Sequence, residues 1–455
     1  MGATAQDTEQ QLEQANGIAA LLAVIDQAAL DGWLAERANQ DVAAALDSLD
    51  DQATLVLLRR LPLERMPHIF SHLATEHQAR LLERLSSEEK AYLVGELSYD
   101  DAAALIDELE DLHSEEIIEL LEPQDRQVIE TLLSYPDDSV GRLMTPEYIA
   151  LRPGWTVERA LEYVRRHSEE GETINDVFVT DREGHLLGML GLKHLLLSRP
   201  ASKIESLLGD EVVSIDVNAH REDAAHLTRR YDIETLPVVN SEKQLLGVVT
   251  VDDVFDMMEE ESTEDFHKLG SVAPLPLSLM EASPSLLYRK RVGWLVILIL
   301  VNIVSGGAIA FYETAIETVV ALVFFLPLVI ASGGNAGAQS ATLMVRALAT
   351  GDVQAKDWLR LWGKEFSVSM ALGLTMGASV WWAGNWIGGS GVGNTIALAM
   401  LLVVLFGSML GMIMPFLLAR MKIDPATASA PLITSIADVV GILIYFSVAL
   451  VVLGI

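Results

Sequence analysis

The sequence predicts a multi-domain membrane protein in three parts: an all-α superhelical domain, an α/β tandem pair, and an all-α transmembrane domain of five helices. Three observations carry that reading. A leucine recurs every twelve residues early in the chain, a strand-turn-strand pattern repeats 59 residues apart, and long charge-poor stretches fill the chain after residue 290. The expected boundaries are a polar tail at 1–20, an acidic helical-repeat domain at 21–138, the tandem pair at 139–262, a connecting helix at 263–290 and a membrane domain at 291–455.

The leucines are Leu49, Leu61, Leu73, Leu85, Leu97, Leu109 and Leu121. Twelve residues suffice for a short helix and a connection, so the period predicts stacked helices sharing one core. Leu85-Ser86-Ser87-Glu88 and Leu97-Ser98-Tyr99-Asp100 read as helix starts, with a serine capper and an acid in the first turn.

Residues 140–260 change character. Val177-Phe178-Val179-Thr180 and Leu236-Pro237-Val238-Val239 are strand-like, and each is followed by a turn and a second strand, Leu187–Leu190 or Leu246–Val249. Helices are expected before each copy, at Val157–Arg166 and Asp223–Tyr231, and again after it. On these residues the pair resembles tandem CBS domains. Gly247-Val248-Val249-Thr250-Val251-Asp252-Asp253 matches that family's adenosine-binding pattern, which implies that Gly247, Thr250 and Asp253 meet ATP or another adenine nucleotide. The first copy, Gly188-Met189-Leu190-Gly191-Leu192-Lys193-His194, lacks the hydroxyl and the acid. One nucleotide site per chain, or a purely structural pair, are the two readings.

Charge divides the chain. Nine of its 31 Lys/Arg and seven of its 64 Asp/Glu lie from Arg289 onward, so residues 1–288 carry −35 and the remainder +2. Such an excess of acid argues against nucleic acid as a partner, because phosphates demand Lys and Arg, and against docking of the soluble half on an anionic leaflet. The absence of cysteine removes disulfides, thiolate metal sites and cysteine nucleophiles. Met1–Gln14 is polar with no apolar core, so no signal peptide is expected and the soluble half should stay in the cytoplasm.

A span needs roughly 20 apolar residues. Val292–Tyr312 and Thr318–Val345 contain no Asp, Glu, Lys or Arg, and Phe366–Ala419 divides into two helices at the Gly-rich turn Asn385–Asn394. Pro425–Ile455 is the fifth span, with a single charge, Asp438, near its middle. With the N-terminus inside, all nine basic residues of this region fall on the cytoplasmic side. The expected protein is therefore multi-pass in the cell (inner) membrane with its C-terminus outside.

Gly333-Gly334-Asn335 in the second span and Asp438 in the fifth are costly polar insertions of the kind that mark a pathway. Together with the helical domain and the CBS pair, they resemble the MgtE family of bacterial magnesium channels over nearly the whole chain. That resemblance implies a homodimer in membrane lipid, with one pore lined by spans two and five, Asp438 and Asn335 beside Gly334 facing the ion, and small residues near Ala430 widening the path. Mg²⁺ is both cargo and regulator in that picture. It prefers octahedral oxygen and sheds water reluctantly, so a wide ring holding the hydrate suits it.

Regulation is expected at the acids Asp252, Asp253, Asp256, Glu261, Glu264 and Asp265, facing Asp100, Asp101 and Asp107 of the repeat domain. Like charges at helical spacing repel, and bridging Mg²⁺ would draw the two surfaces together and close the pore. Lys268–Lys290 would be the plug, with Pro274, Pro276 and Pro284 restricting its helix to a core around Leu277–Ser283. An ion-coupled Mg²⁺/Co²⁺ transporter and a membrane-bound CBS sensor that transports nothing are the rivals. An enzyme is not expected: no Ser/His/Asp set, P-loop or His-rich metal site is apparent, and His113, His185, His220 and His226 are scattered.

Overall fold

The computed structural model describes residues 27–109, 111–168, 171–209, 212–273, 275, 282–353, 355–421 and 423–455. The expected polar tail at 1–20 lies outside them. Two compact units divide between Met258 and Glu259.

Among the described residues, nine short helices open the first unit. They are α1 (Gln27–Ala35), α2 (Asn39–Asp47), α3 (Asp51–Leu58), α4 (Met66–Ser71), α5 (Thr75–Leu82), α6 (Ser87–Gly95), α7 (Tyr99–Asp107), α8 (Asp111–Leu120) and α9 (Pro123–Leu133). From α2 to α9 each helix packs on the one two places along. The periodic leucines explain why. Leu49, Leu73, Leu85, Leu97 and Leu121 each stand one residue before a helix N-cap, where an apolar side chain pins the entering chain to the core. All seven leucines join a single apolar core around Phe70, Leu81 and Leu93. Ser86 forms a full capping box with Glu89, whereas Ser98 makes no side-chain cap. The hydroxyl expected to start α7 is thus not used for that purpose.

After α10 (Val140–Leu143), two three-stranded sheets follow. In the first, β1 (Ala150–Leu151) runs parallel to β2 (Asp176–Thr180), which pairs antiparallel with β3 (Leu186–Gly191); α11 (Val157–Arg166) precedes β2 and α12 (Leu192–Leu197) follows β3. The second repeats the plan with β4 (Ile215–Asp216), α13 (Arg221–Tyr231), β5 (Thr235–Val239), β6 (Leu245–Thr250) and α14 (Val251–Leu269). The duplication holds pair by pair. Phe178 faces Met189 as Pro237 faces Val248, and the register shifts after Val179 and again after Val238. The two hairpins join through reciprocal bonds, Leu186 N–H to the Lys243 carbonyl and Leu245 N–H to the Gly184 carbonyl, both 3.0 Å.

In the second unit five helices are long and apolar enough to cross a membrane: α15 (Pro284–Phe311), α17 (Ala321–Ala349), α18 (Trp358–Gly388), α19 (Ser390–Arg420) and α20 (Ala430–Leu453). A short α16 (Glu313–Thr318) lies between the first two. The acidic run 259–265 is helical throughout, as part of α14. Pro284 does not limit the connector but opens α15 at its first turn, with the Ser283 hydroxyl accepting from Leu286 N–H at 3.2 Å; proline is pre-shaped for that position. The helical core expected around Leu277–Ser283 falls mostly on residues outside the described set, while Ala282 and Ser283 are not helical. The Gly-rich turn between the third and fourth spans contracts to Gly389, whose φ of 83° only glycine adopts cheaply.

Candidate functional site

The two helices expected to line an ion pathway are α17 and α20. Gly333 and Gly337 of α17 lie so close to α19 that added Cβ atoms would meet Val403 and the Gly407 carbonyl; in return, Gly407 and Gly411 would meet the Gly333 and Gly337 carbonyls at 2.1 and 2.0 Å. Glycines four residues apart on both helices make this contact. Gly334 turns the other way, with its Cβ position 3.0 Å from Thr434 of α20. One flank of α17 is thereby consumed in packing, and Ala331, Asn335 and Gln339, spaced four apart, remain exposed.

Asp438 sits half-buried on α20 and has no hydrogen-bond or ion-pair partner among the described residues. It does not lie at mid-helix. A 3-10 turn, Pro425–Thr427, capped by the Asp424 carboxylate accepting from Ala426 N–H at 2.8 Å, uses up the first residues of the apolar stretch. α20 therefore starts at Ala430, and Asp438 lies only about 12 Å along it at 1.5 Å per residue. Ala430 is the first helical residue, next to Ser429, whose hydroxyl meets Ser271 at 2.6 Å. Beside it, Lys268 donates to Asp424 at 2.5 Å and to Glu264 at 2.7 Å. Burial alone would lower the Lys268 pKa, but the two carboxylates outweigh it and raise it.

In the first unit the acids of α7 and α14 share one neighbourhood. Asp100 is 9 % exposed, and its Oδ1 has no hydrogen-bond partner. Burial, then the neighbouring Asp101, pushes its pKa up to about 6. Protein crowding raises Asp101 to about 6 as well, with Asp253, Asp256 and Asp252 adding repulsion. Asp253 rises to about 7 through burial and Asp100. Two further members escape sequence reasoning. Glu172 rises to about 7 through burial and then Asp100, Glu147, Asp253 and Asp101, and Glu147 is also raised by burial. Both come from irregular segments with no motif around them.

Asp107, expected in this set, is instead ion-paired with Arg142, whose guanidinium donates to Asp107 at 2.9 Å and to Asp137 at 2.8 Å. Glu261 and Asp265 lie on α14 beyond Met258, in the second unit, as does Glu264. Among the described residues, none of these acids forms a group of three with donor atoms within 4.8 Å. The one group that tight is Asp181, Glu183 and His185 on the first hairpin, where Asp181 Oδ1 accepts from the N–H groups of Glu183 and His185 and so serves the turn itself.

The second-copy residues implied for a nucleotide are engaged within the fold. Thr250 N–H and hydroxyl both donate to Asp253 Oδ2, and Gly247 is covered by Met144 and the Thr145 carbonyl. A cleft of about 810 Å³ opens instead beside the first copy, lined by Asn175, Asp176, Lys193, Tyr231, Asp232 and Glu234 among others.

Comparison with known proteins agrees with this layout. Residues 326–448 match the family described as MgtE, divalent cation transporter; residues 38–138 match the MgtE intracellular N domain; and residues 140–200 and 204–260 each match a CBS domain. The chain is 41 % identical over 431 residues to the magnesium transporter MgtE of Thermus thermophilus, spanning 93 % of this chain and 95 % of the relative. It is 34 % identical over 330 residues to that of Bacillus subtilis, 71 % and 72 % of the two chains. Among solved structures, the cytosolic domain of the Mg²⁺ channel MgtE in complex with ATP matches at 36 % identity and a TM-score of 0.51, covering 53 % of this chain and 99 % of that one. The chain belongs to the MgtE family of divalent cation transporters.

Proposed function

We propose that the chain is a Mg²⁺-selective channel for magnesium uptake, gated by intracellular Mg²⁺ at the acidic faces of its helical and CBS domains. The observation that carries this reading is Asp438, a carboxylate within a membrane span that no cation among the described residues neutralises. An intramembrane acid is expensive, and a passing cation is the partner that offsets the cost. Asn335, beside Gly334 on α17, supplies amide dipoles, and the small Ala430 leaves room for the hydrate. Weak outer-shell binding at Asp438 lets the ion leave as well as enter.

In this reading two chains form the pore, one Asp438 from each. The exposed apolar side chains Leu196, Leu197, Tyr231, Phe255 and Met258 of the CBS pair support a second copy as the partner, since large exposed apolar patches mark interfaces. The N-terminus is cytoplasmic and the C-terminus outside, with the basic ends of the spans inward. Mg²⁺ relieves the repulsion among Asp100, Asp101, Asp252, Asp253 and Asp256, with Glu172 and Glu147 beside them, and Glu261, Glu264 and Asp265 continue the same helix. An adenine nucleotide, as in the ATP-bound relative, is proposed for the CBS pair. The two candidate seats are the 810 Å³ cleft and the Gly247–Thr250–Asp253 set; Lys193→Glu weakens binding at the first and Asp253→Ala at the second. The chain acts as a transporter and not as an enzyme.

The test is flux. Asp438→Ala in proteoliposomes abolishes Mg²⁺ uptake while leaving dimerisation and thermal unfolding unchanged, and wild-type currents reverse at the Mg²⁺ equilibrium potential. Uptake retained by Asp438→Ala would sink the pore assignment, and reversal elsewhere would favour coupled transport.

A further inference from the structure

We propose that the first turns of α18, with Lys356 just before them, form a binding surface for the phosphate headgroups of anionic phospholipids. Lys356, Arg360 and Lys364 recur at four-residue spacing, all exposed, and none has an ion-pair or hydrogen-bond partner among the described residues. Trp358 and Trp362 stand in the same two turns, 49 % and 40 % exposed, and Trp362 stacks on Phe366 with ring centroids 5.8 Å apart. Cations and indoles together are the chemistry of the membrane–water interface.

Independent placement comes from the other end of the helix. Trp382 and Trp386 are 67 % and 78 % exposed and stack on each other. From Trp362 to Trp382 is 20 residues, about 30 Å at 1.5 Å per residue, which is the thickness of a hydrocarbon core. The two aromatic groups therefore mark both interfaces. Lys356 and Arg360 then fall at headgroup depth, and Lys364 reaches it along its own flexible stem. Between the two groups Val368, Leu372 and Leu374 are exposed, so the basic patch is continuous with a lipid-facing surface. That continuity favours lipid phosphate over an acidic protein surface as the occupant. The Trp382 end lies in a stretch, Phe366–Ala419, without Lys or Arg, so only the cationic end discriminates between headgroups.

The full-length protein is reconstituted in phosphatidylcholine vesicles doped with brominated phosphatidylglycerol or brominated phosphatidylcholine, and tryptophan quenching is measured. The brominated anionic lipid should quench more strongly, the excess shrinking as salt rises. The excess should vanish in K356Q/R360Q/K364Q, at about a fivefold loss of relative affinity per cation. If that variant fails to fold, R360Q alone should show the fivefold loss. Equal quenching by both lipids in the wild type overturns the proposal, as does a preference that survives the triple variant. An absent lipid preference, combined with an altered Mg²⁺ dependence of flux in the triple variant, would assign the stripe to acidic protein surface instead.

Discussion

Replacing Gly407 by Ala should damage both stability and transport, because the space for a methyl group is occupied by backbone. Its Cβ would stand 2.1 Å from the Gly333 carbonyl oxygen and 2.9 Å from the carbonyl carbon. Ordinary contact would require α17 and α19 to part by roughly 1 Å, since no flexible side chain is available to yield. Overpacking of this kind costs about 1–3 kcal/mol, and a clash against main chain belongs at the upper end. At about 1.4 kcal/mol per factor of ten, 3 kcal/mol lowers the folded population ratio by roughly 100-fold. The displaced helix carries Gly334 and Asn335, so the ion path proposed beside them should shift with it. Gly306 provides the control, because a Cβ there meets nothing within 4 Å; Gly306→Ala should stay within about 0.5 kcal/mol of wild type. Thermal unfolding in detergent and Mg²⁺ flux in vesicles measure the pair. If both variants unfold at the same temperature and conduct equally, the close approach of α17 and α19 does not govern the pathway.

The acid cluster should make the first unit respond to pH in Mg²⁺-free buffer. Asp253 and Glu172 move from 3.8 and 4.5 up to about 7, and Asp100 to about 6, so the folded state holds more protons than the unfolded one between about pH 4 and 7 and gains stability as pH falls through that window. Amide protection across α7, taken relative to the intrinsic exchange rate at each pH, should rise from pH 8 to pH 5.5, and millimolar Mg²⁺ should add more protection at pH 8; a protection factor that does not change with pH would contradict the shared neighbourhood. Lys268→Met should leave Glu264 and Asp424 without their common cation, at a cost of about 1 kcal/mol for so partly exposed a pair, and should increase protease cleavage between α14 and α15; unchanged cleavage would mean that the lysine holds nothing in place. Neutralising Glu261, Glu264 and Asp265 together should leave the channel open at high Mg²⁺, and closure at the wild-type concentration would reduce the run to a solvated face.

The architecture was legible where one physical rule dominated. Spans announce themselves by lacking charge, and the leucine period is visible because the same N-terminal pinning contact is made at one helix after another. Helix limits were less legible. The apolar stretch begins at Pro425, but the 3-10 turn set by Asp424 moves the helix start to Ala430, which leaves Asp438 about one turn before the helix middle. Side-chain partners were hidden for another reason. Asp107 meets Arg142 from 35 residues away, and Glu172 and Glu147 come near Asp100 through tertiary packing, in which Ala103 and Leu132 of the helical stack share a core with Ile215, Leu236 and Val249 of the second CBS copy. Such neighbours depend on how whole domains dock, and no local spacing encodes that.

The constant 59-residue offset of the two hairpins has one more implication. Where the second copy carries Asp252 and Asp253, the first carries Lys193 and His194. A nearly twofold scaffold therefore bears opposite polarity at two matching corners. Such a body does not show the same face twice: the corner that offers two carboxylates in one half offers a lysine and a histidine in the other. Duplication supplied the shape, and divergence at matching positions made its two halves chemically unlike.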